Sequence, residues 1–210
     1  GGAILSVAGV PEAIKLTDGR ALGLATVLFI PEATSATWAA RAALPATIPH
    51  PDAAFNVGAA AGLAVGLMSG NRAAIAAGMH DRLHEPYRAR LFPHLVPMAE
   101  AAREAGALGA CLSGAGPTIL ALADPQVAVQ VEEAFRAVAR ALSVPGRAIT
   151  LCPTSRGAYV IELADDEDAV AVTTPPPDWR GSQRLRPVGI RSSSRAHSRS
   201  LEVQRSDLPE

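Results

Sequence analysis

The sequence is short of lysine, cysteine and net charge, and each scarcity narrows what the chain can be. Lys15 is the only lysine among the 210 residues. A phosphate loop of the Gly-Lys-Ser/Thr kind is therefore excluded, because that loop needs a lysine directly after its glycines. Abundant alanine accompanies the missing lysine, a pairing that reflects codon bias toward GC-rich DNA and carries no functional signal. Only two cysteines occur, Cys111 and Cys152. Each lies in an apolar, strand-like run where cysteine behaves as a small buried hydrophobe, and both read as free thiols of a reducing compartment. A formal net charge of −1 gives no field that would gather nucleic acid or acidic lipid, and suits a small uncharged or zwitterionic substrate. No basic leader precedes an apolar segment. The most apolar stretch, 53–68, reads as too short and too rich in alanine and glycine to span a bilayer. A soluble, cytoplasmic protein with no membrane partner is the expectation.

Half of the residues are apolar, ample for a core. The chain is organised around 110–122, where a turn of serine, glycine and proline separates two short apolar runs that predict buried strands. Gly114 and Gly116 permit positive φ, Pro117 fixes its own φ and removes a donor, and Ser113 and Thr118 place hydroxyls at the two ends. Such a turn either joins two strands without a ligand or holds polar groups or an anion. Its spacing is not the dinucleotide fingerprint GxGxxG, and it lacks the strand-to-helix order that motif requires.

Three strands are expected near the start, at Gly1-Gly2-Ala3-Ile4-Leu5-Ser6-Val7, at 13–17 and at 22–30, the last two joined by a hairpin across Asp18-Gly19. Short helices follow at 38–44 and from Pro51 through Leu67, then at 72–79. Asn56 falls inside the second, as a satisfied buried amide or a substrate contact. The densest polar cluster, 80–93, contains Pro86 and Pro93 and predicts a structured loop rather than a helix. His80 and His84 share helical spacing but lack a third ligand, so no metal site is expected. Among the arginines of this loop, Arg88 is the candidate to grip a carboxylate or phosphate with both arms; ordinary surface ion pairs are the alternative. A helix from Pro97 ends at Gly106. Asp124-Pro125 opens another whose apolar face is Val127, Val131, Phe135, Val138 and Leu142. Strands at 148–152 and 158–163 close the unit across Thr154-Ser155-Arg156-Gly157. The order predicts an α+β sandwich with helices on one face of an antiparallel sheet. Beyond it, an acidic patch, three prolines and an arginine- and serine-rich stretch give a composition expected to stay disordered, with no nucleic-acid role.

Three segments together carry a resemblance: His84-Glu85-Pro86-Tyr87-Arg88; Gly109-Ala110-Cys111-Leu112-Ser113-Gly114-Ala115-Gly116-Pro117-Thr118; and Thr154-Ser155-Arg156-Gly157-Ala158. Their order and spacing resemble the C-terminal half of the homoserine kinases, a branch of the GHMP small-molecule kinases. Gly1-Gly2, Ala40-Arg41-Ala42-Ala43-Leu44-Pro45 and Phe55-Asn56 support it. The resemblance implies a ferredoxin-like C-terminal α/β sandwich at 32–163 and, at 1–31, remnant strands of the N-terminal domain, which is like domain 2 of ribosomal S5; 164–210 is the disordered tail. It implies ATP- and magnesium-dependent phosphorylation of the L-homoserine hydroxyl, a step toward threonine, and it admits a homodimer.

On that reading Arg88 binds the amino-acid carboxylate, Asn56 and Arg156 lie near the same substrate, and Ser113, Gly114, Ala115, Gly116, Pro117 and Thr118 form the active-site loop. Ala115 stands where serine is more usual. The family's nucleotide loop, of the type Pro-x-x-x-Gly-Leu-Gly-Ser-Ser-Ala, occurs nowhere in the sequence, nor does its acidic magnesium ligand, so ATP and Mg2+ are expected of the complete enzyme and not of this chain alone. Another GHMP kinase, acting on mevalonate-type or sugar alcohols, and a ferredoxin-like binding module without catalysis are the alternatives.

Overall fold

A computed structural model describes residues 1–157; the strand expected at 158–163 and the tail at 164–210 lie outside the described residues. Two sheets form. Strands β1 (Ala3–Leu5) and β2 (Ile14–Thr17) make a small antiparallel pair. The main sheet is antiparallel throughout, in the order β4 (Gly109–Leu112), β5 (Ile119–Ala123), β3 (Ala25–Pro31), β6 (Gly146–Leu151).

The opening strands correct one expectation: β2 and β3 do not form a hairpin across Asp18-Gly19. The Asp18 carboxylate accepts from the Arg20 amide and the Ser155 hydroxyl, and the chain runs on through Gly23 at φ 61°. Leu22 and Leu24 are then buried with Ile75 and Met79. Burial of those two leucines draws β3 away from β2 and into the main sheet, where Val27 stands opposite Ala121 on one side and Thr150 on the other. The stretch 1–31 is thus divided between two sheets.

Alternation along β3 and β5 sends Ala25, Val27, Phe29, Ile119, Ala121 and Ala123 to one face, where they are buried. Helices α5 (Leu95–Glu104) and α6 (Ala128–Ala141) cover that face with Leu95, Met98, Ala102, Val131 and Phe135. Each fully buried large side chain in this layer contributes about 1.5–3 kcal/mol. The prediction of helices on one face alone needs amendment, because Leu120, Leu122 and Cys111 on the other face pack against Ile75 and Met79. Ile75 belongs to α3 (Arg72–Gly78), which lies against the long helix α2 (His50–Ser69). Small residues set that approach. A Cβ on Gly66 would come within 2.7 Å of the Ile75 nitrogen.

At twenty residues α2 outruns the 53–68 stretch read from sequence, and by length and composition alone it is long and apolar enough to cross a membrane. Its outer face leaves Val57, Val65 and Met68 exposed. Two helix starts also differ from expectation. Asp124-Pro125 opens a 3-10 turn, Pro125–Val127, before α6 begins, and the Asp124 carboxylate accepts from Arg72 Nε at 3.0 Å and makes no cap bond. Within the supposed loop 80–93, Glu85–Arg88 forms a single helical turn, α4, with Pro86 in the first turn, where a missing N–H costs nothing. A further short helix, α1 (Thr37–Ala42), precedes α2.

Candidate functional site

Strands β4 and β5 are joined by 113–118, the glycine-rich turn singled out in the sequence. The Ser113 amide donates to the Thr118 carbonyl at 2.8 Å, and the Gly116 amide returns to the Ser113 carbonyl at 3.2 Å. Gly114 and Gly116 take φ values of 63° and 90°, in the left-handed region where a side chain is strained. At Gly116 the restriction is doubled, since a Cβ would meet the Phe92 ring at 2.5 Å.

Three side chains hold the loop from outside. Arg88, at the end of α4 and 9% exposed, donates from Nη1 to the Gly114 carbonyl at 3.1 Å and from Nε to the Ala40 carbonyl at 3.2 Å. Glu85, one turn earlier on the same face of α4, accepts from the Leu112 amide at 2.6 Å. From the far end, His94 Nε2 sits 2.9 Å from the Pro117 carbonyl. A carbonyl only accepts, so Nε2 carries the proton. His94 is buried between the Phe29 and Phe92 rings.

The entry to α4 is built on Asp81. Its carboxylate accepts from the amides of Leu83, His84 and Glu85 and from Asn56 Nδ2 at 2.7 Å. Burial alone would raise its pKa, but these donors outweigh burial and hold it below the usual value. Burial prevails at Glu85, pushing that carboxyl upward against the opposing Leu112 amide. Burial pushes the thiol of the half-buried Cys111 up to about 12, which keeps it protonated at neutral pH.

Of the residues singled out from sequence, Arg88 and the 113–118 loop meet directly. Asn56 clasps the loop ahead of α4 with both ends of its amide, Nδ2 to Asp81 and Oδ1 from the Arg82 amide at 2.8 Å. Arg156 lies on a turn tied to the opening strands: the Arg20 amide reaches Ser155 Oγ at 3.2 Å, and a Cβ on Gly19 would strike the Thr154 carbonyl. Nothing in the sequence assigns a role to Glu85, Asp81 or His94, whose partners here are backbone groups or distant in the chain.

A cavity of about 630 Å³ opens beside α4, lined in part by Phe55, Asp81, Arg82, Glu85 and Arg103; its lining includes neither Arg88 nor the 113–118 loop. Among the described residues no three His, Cys, Asp or Glu side chains gather around one point. The glycine loop leads from strand to strand, so no helix N-terminus stands behind it to receive phosphates.

Comparison with known proteins gives a consistent likeness. Residues 63–141 match the family model described as GHMP kinases C terminal. A homoserine kinase of Synechococcus sp. (strain CC9902) is 43% identical over 141 residues, 67% of this chain and 44% of that protein. A homoserine kinase of Gloeobacter violaceus is 46% identical over 112 residues, 53% of this chain and 38% of that protein. Among solved structures, homoserine kinase from Cytophaga hutchinsonii superposes with a TM-score of 0.66 at 29% identity, over 71% of this chain and 47% of that one. The chain thus spans less than half the length of these curated relatives.

Proposed function

We propose, on the premise that residues 63–141 are a GHMP-kinase C-terminal domain, that this chain carries the acceptor side of a kinase that phosphorylates the side-chain hydroxyl of L-homoserine. The observation that carries this reading is the contact between Arg88 and Gly114. Arg88 spends two donors on backbone carbonyls, which orients the guanidinium and leaves its remaining N–H groups to bind a carboxylate with both arms. A substrate held there by its carboxylate presents its hydroxyl near Ser113 and Thr118. Asn56 acts on this site through Asp81 and the start of α4, and Arg156 belongs to its periphery.

Phosphoryl transfer in such kinases rests on positioning and charge neutralisation. This chain's share is to fix the acceptor. The nucleotide and Mg2+ belong to parts of the relatives that these residues do not supply, so the 210 residues alone are expected to give no turnover. The same reading makes the complete protein a cytoplasmic enzyme of threonine biosynthesis.

The test is a chimera in which these residues replace the matching segment of the Synechococcus homoserine kinase, assayed with ATP against L-homoserine, mevalonate and galactose. Phosphorylation of L-homoserine well above the others is the expected result. Preference for an alcohol that is not an amino acid overturns the assignment.

A further inference from the structure

We propose that Glu85 is a positioning residue for the acceptor site, fixing where the 113–118 loop begins while Arg88, one turn on, fixes its middle. The significance for acceptor binding rests on the function proposed above; the tether itself stands on geometry alone. Strand β4 is at the edge of the main sheet. The Ser113 amide turns inward to Thr118, so the amide of Leu112 turns outward, where no strand among the described residues receives it. Glu85 Oε1 supplies the acceptor at 2.6 Å. One turn of helix thereby holds two points of the loop: a carboxylate takes the N–H at its entrance and a guanidinium takes the C=O two residues later.

The arrangement is costly to keep, which argues against a filler role. Glu85 is part-buried; the carboxylate of Asp81 opposes its charge while Arg103 and His84 favour it, and burial prevails. Asp81 cannot take its place, because its oxygens are already engaged by three amides and Asn56. An apolar side chain at position 85 would fill the same space without bringing a buried charge, but would leave the Leu112 amide without an acceptor.

Amide hydrogen exchange and homoserine calorimetry on the 210-residue chain test the proposal with Glu85→Ala and Glu85→Gln. Glu85→Ala is expected to speed exchange at Leu112 by roughly tenfold or more, the worth of a charged hydrogen bond, while the β5 amides keep their rates. Glu85→Gln, whose amide oxygen still accepts, restores most of the protection, and homoserine affinity follows the same order. In the wild-type chain Leu112 protection falls to the Glu85→Gln level as acid neutralises Glu85, whose carboxyl C=O still accepts, a dependence that Glu85→Gln removes. Unchanged exchange at Leu112 in Glu85→Ala, or faster exchange with undiminished homoserine binding, overturns the proposal. Should Glu85→Ala fail to fold, the pH dependence in Glu85→Gln decides, and its persistence is the contrary result. A wild-type chain that binds no homoserine defeats the functional reading, while the exchange data still judge the tether.

Discussion

The guanidinium of Arg88 and the carbonyl of Gly114 are joined at 3.1 Å across twenty-six residues of sequence. The side chain that the family resemblance assigns to substrate is therefore also a structural member of the loop beside it. A ligand drawn to the other donors of Arg88 meets a guanidinium whose position already depends on where the loop lies.

Replacing Arg88 by lysine keeps the charge and loses the fork. A single ammonium on a flexible stem cannot reproduce the Nε and Nη1 directions that now reach Ala40 and Gly114. Arg88→Lys is expected to lower stability by about 1–3 kcal/mol, the cost of a buried acceptor losing its donor, as read from the midpoint of a urea melt. An unchanged midpoint would show that neither bond matters to the fold.

Two glycine substitutions should move stability in opposite directions. Gly116→Ala meets both a positive φ of 90° and the Phe92 ring, and about 1–3 kcal/mol of destabilisation follows from backbone strain of this kind. Gly58, inside α2, has nothing within 4 Å of its would-be Cβ. There alanine should stabilise by roughly 0.5–1 kcal/mol through helix propensity. Thermal melts of the two variants, read against wild type, check both signs.

Acid should weaken the fold through Asp81. Hydrogen bonds from Leu83, Asn56 and Glu85 overcome the burial that would raise its pKa, so the folded value lies below the unfolded one. The stability it contributes is then fully present above the unfolded pKa and is lost as pH falls through the folded one. Asp81→Asn is expected to be less stable than wild type at neutral pH, by roughly 1 kcal/mol, because a neutral amide accepts less strongly than the carboxylate from the three backbone N–H groups and Asn56. The gap should close on acidification, and parallel denaturation curves across that range would contradict the assignment.

Much of this fold is legible from periodicity and punctuation. The strands around 113–118 stand out because apolar runs flank a turn that only glycine tolerates, and the apolar face of α6 shows in Val131 and Phe135 at helical spacing. The partner of β3 does not show, because Asp18-Gly19 satisfies the local rule for a hairpin while the deciding force is long-range burial of Leu22 and Leu24 against Ile75. At the site, Arg88 could be found as an arginine beside a proline-bounded turn, but its acceptors at Ala40 and Gly114 are backbone atoms and leave no mark in the residue types. His94 escaped for the same reason: its partner is the carbonyl of Pro117, and a lone histidine between Phe92 and Leu95 looks like any other. Asn56 reads from sequence as a satisfied amide or a substrate contact, and its partner Asp81 is hidden by twenty-five residues of separation.

The most direct measurement is a calorimetric titration of the chain with L-homoserine and with its carboxamide, repeated on Arg88→Ala. A carboxylate gripped by Arg88 predicts that the wild-type chain prefers the acid by roughly tenfold or more, and that Arg88→Ala loses that preference. Equal affinity for the two ligands in the wild-type chain, or a preference that survives in Arg88→Ala, would contradict it.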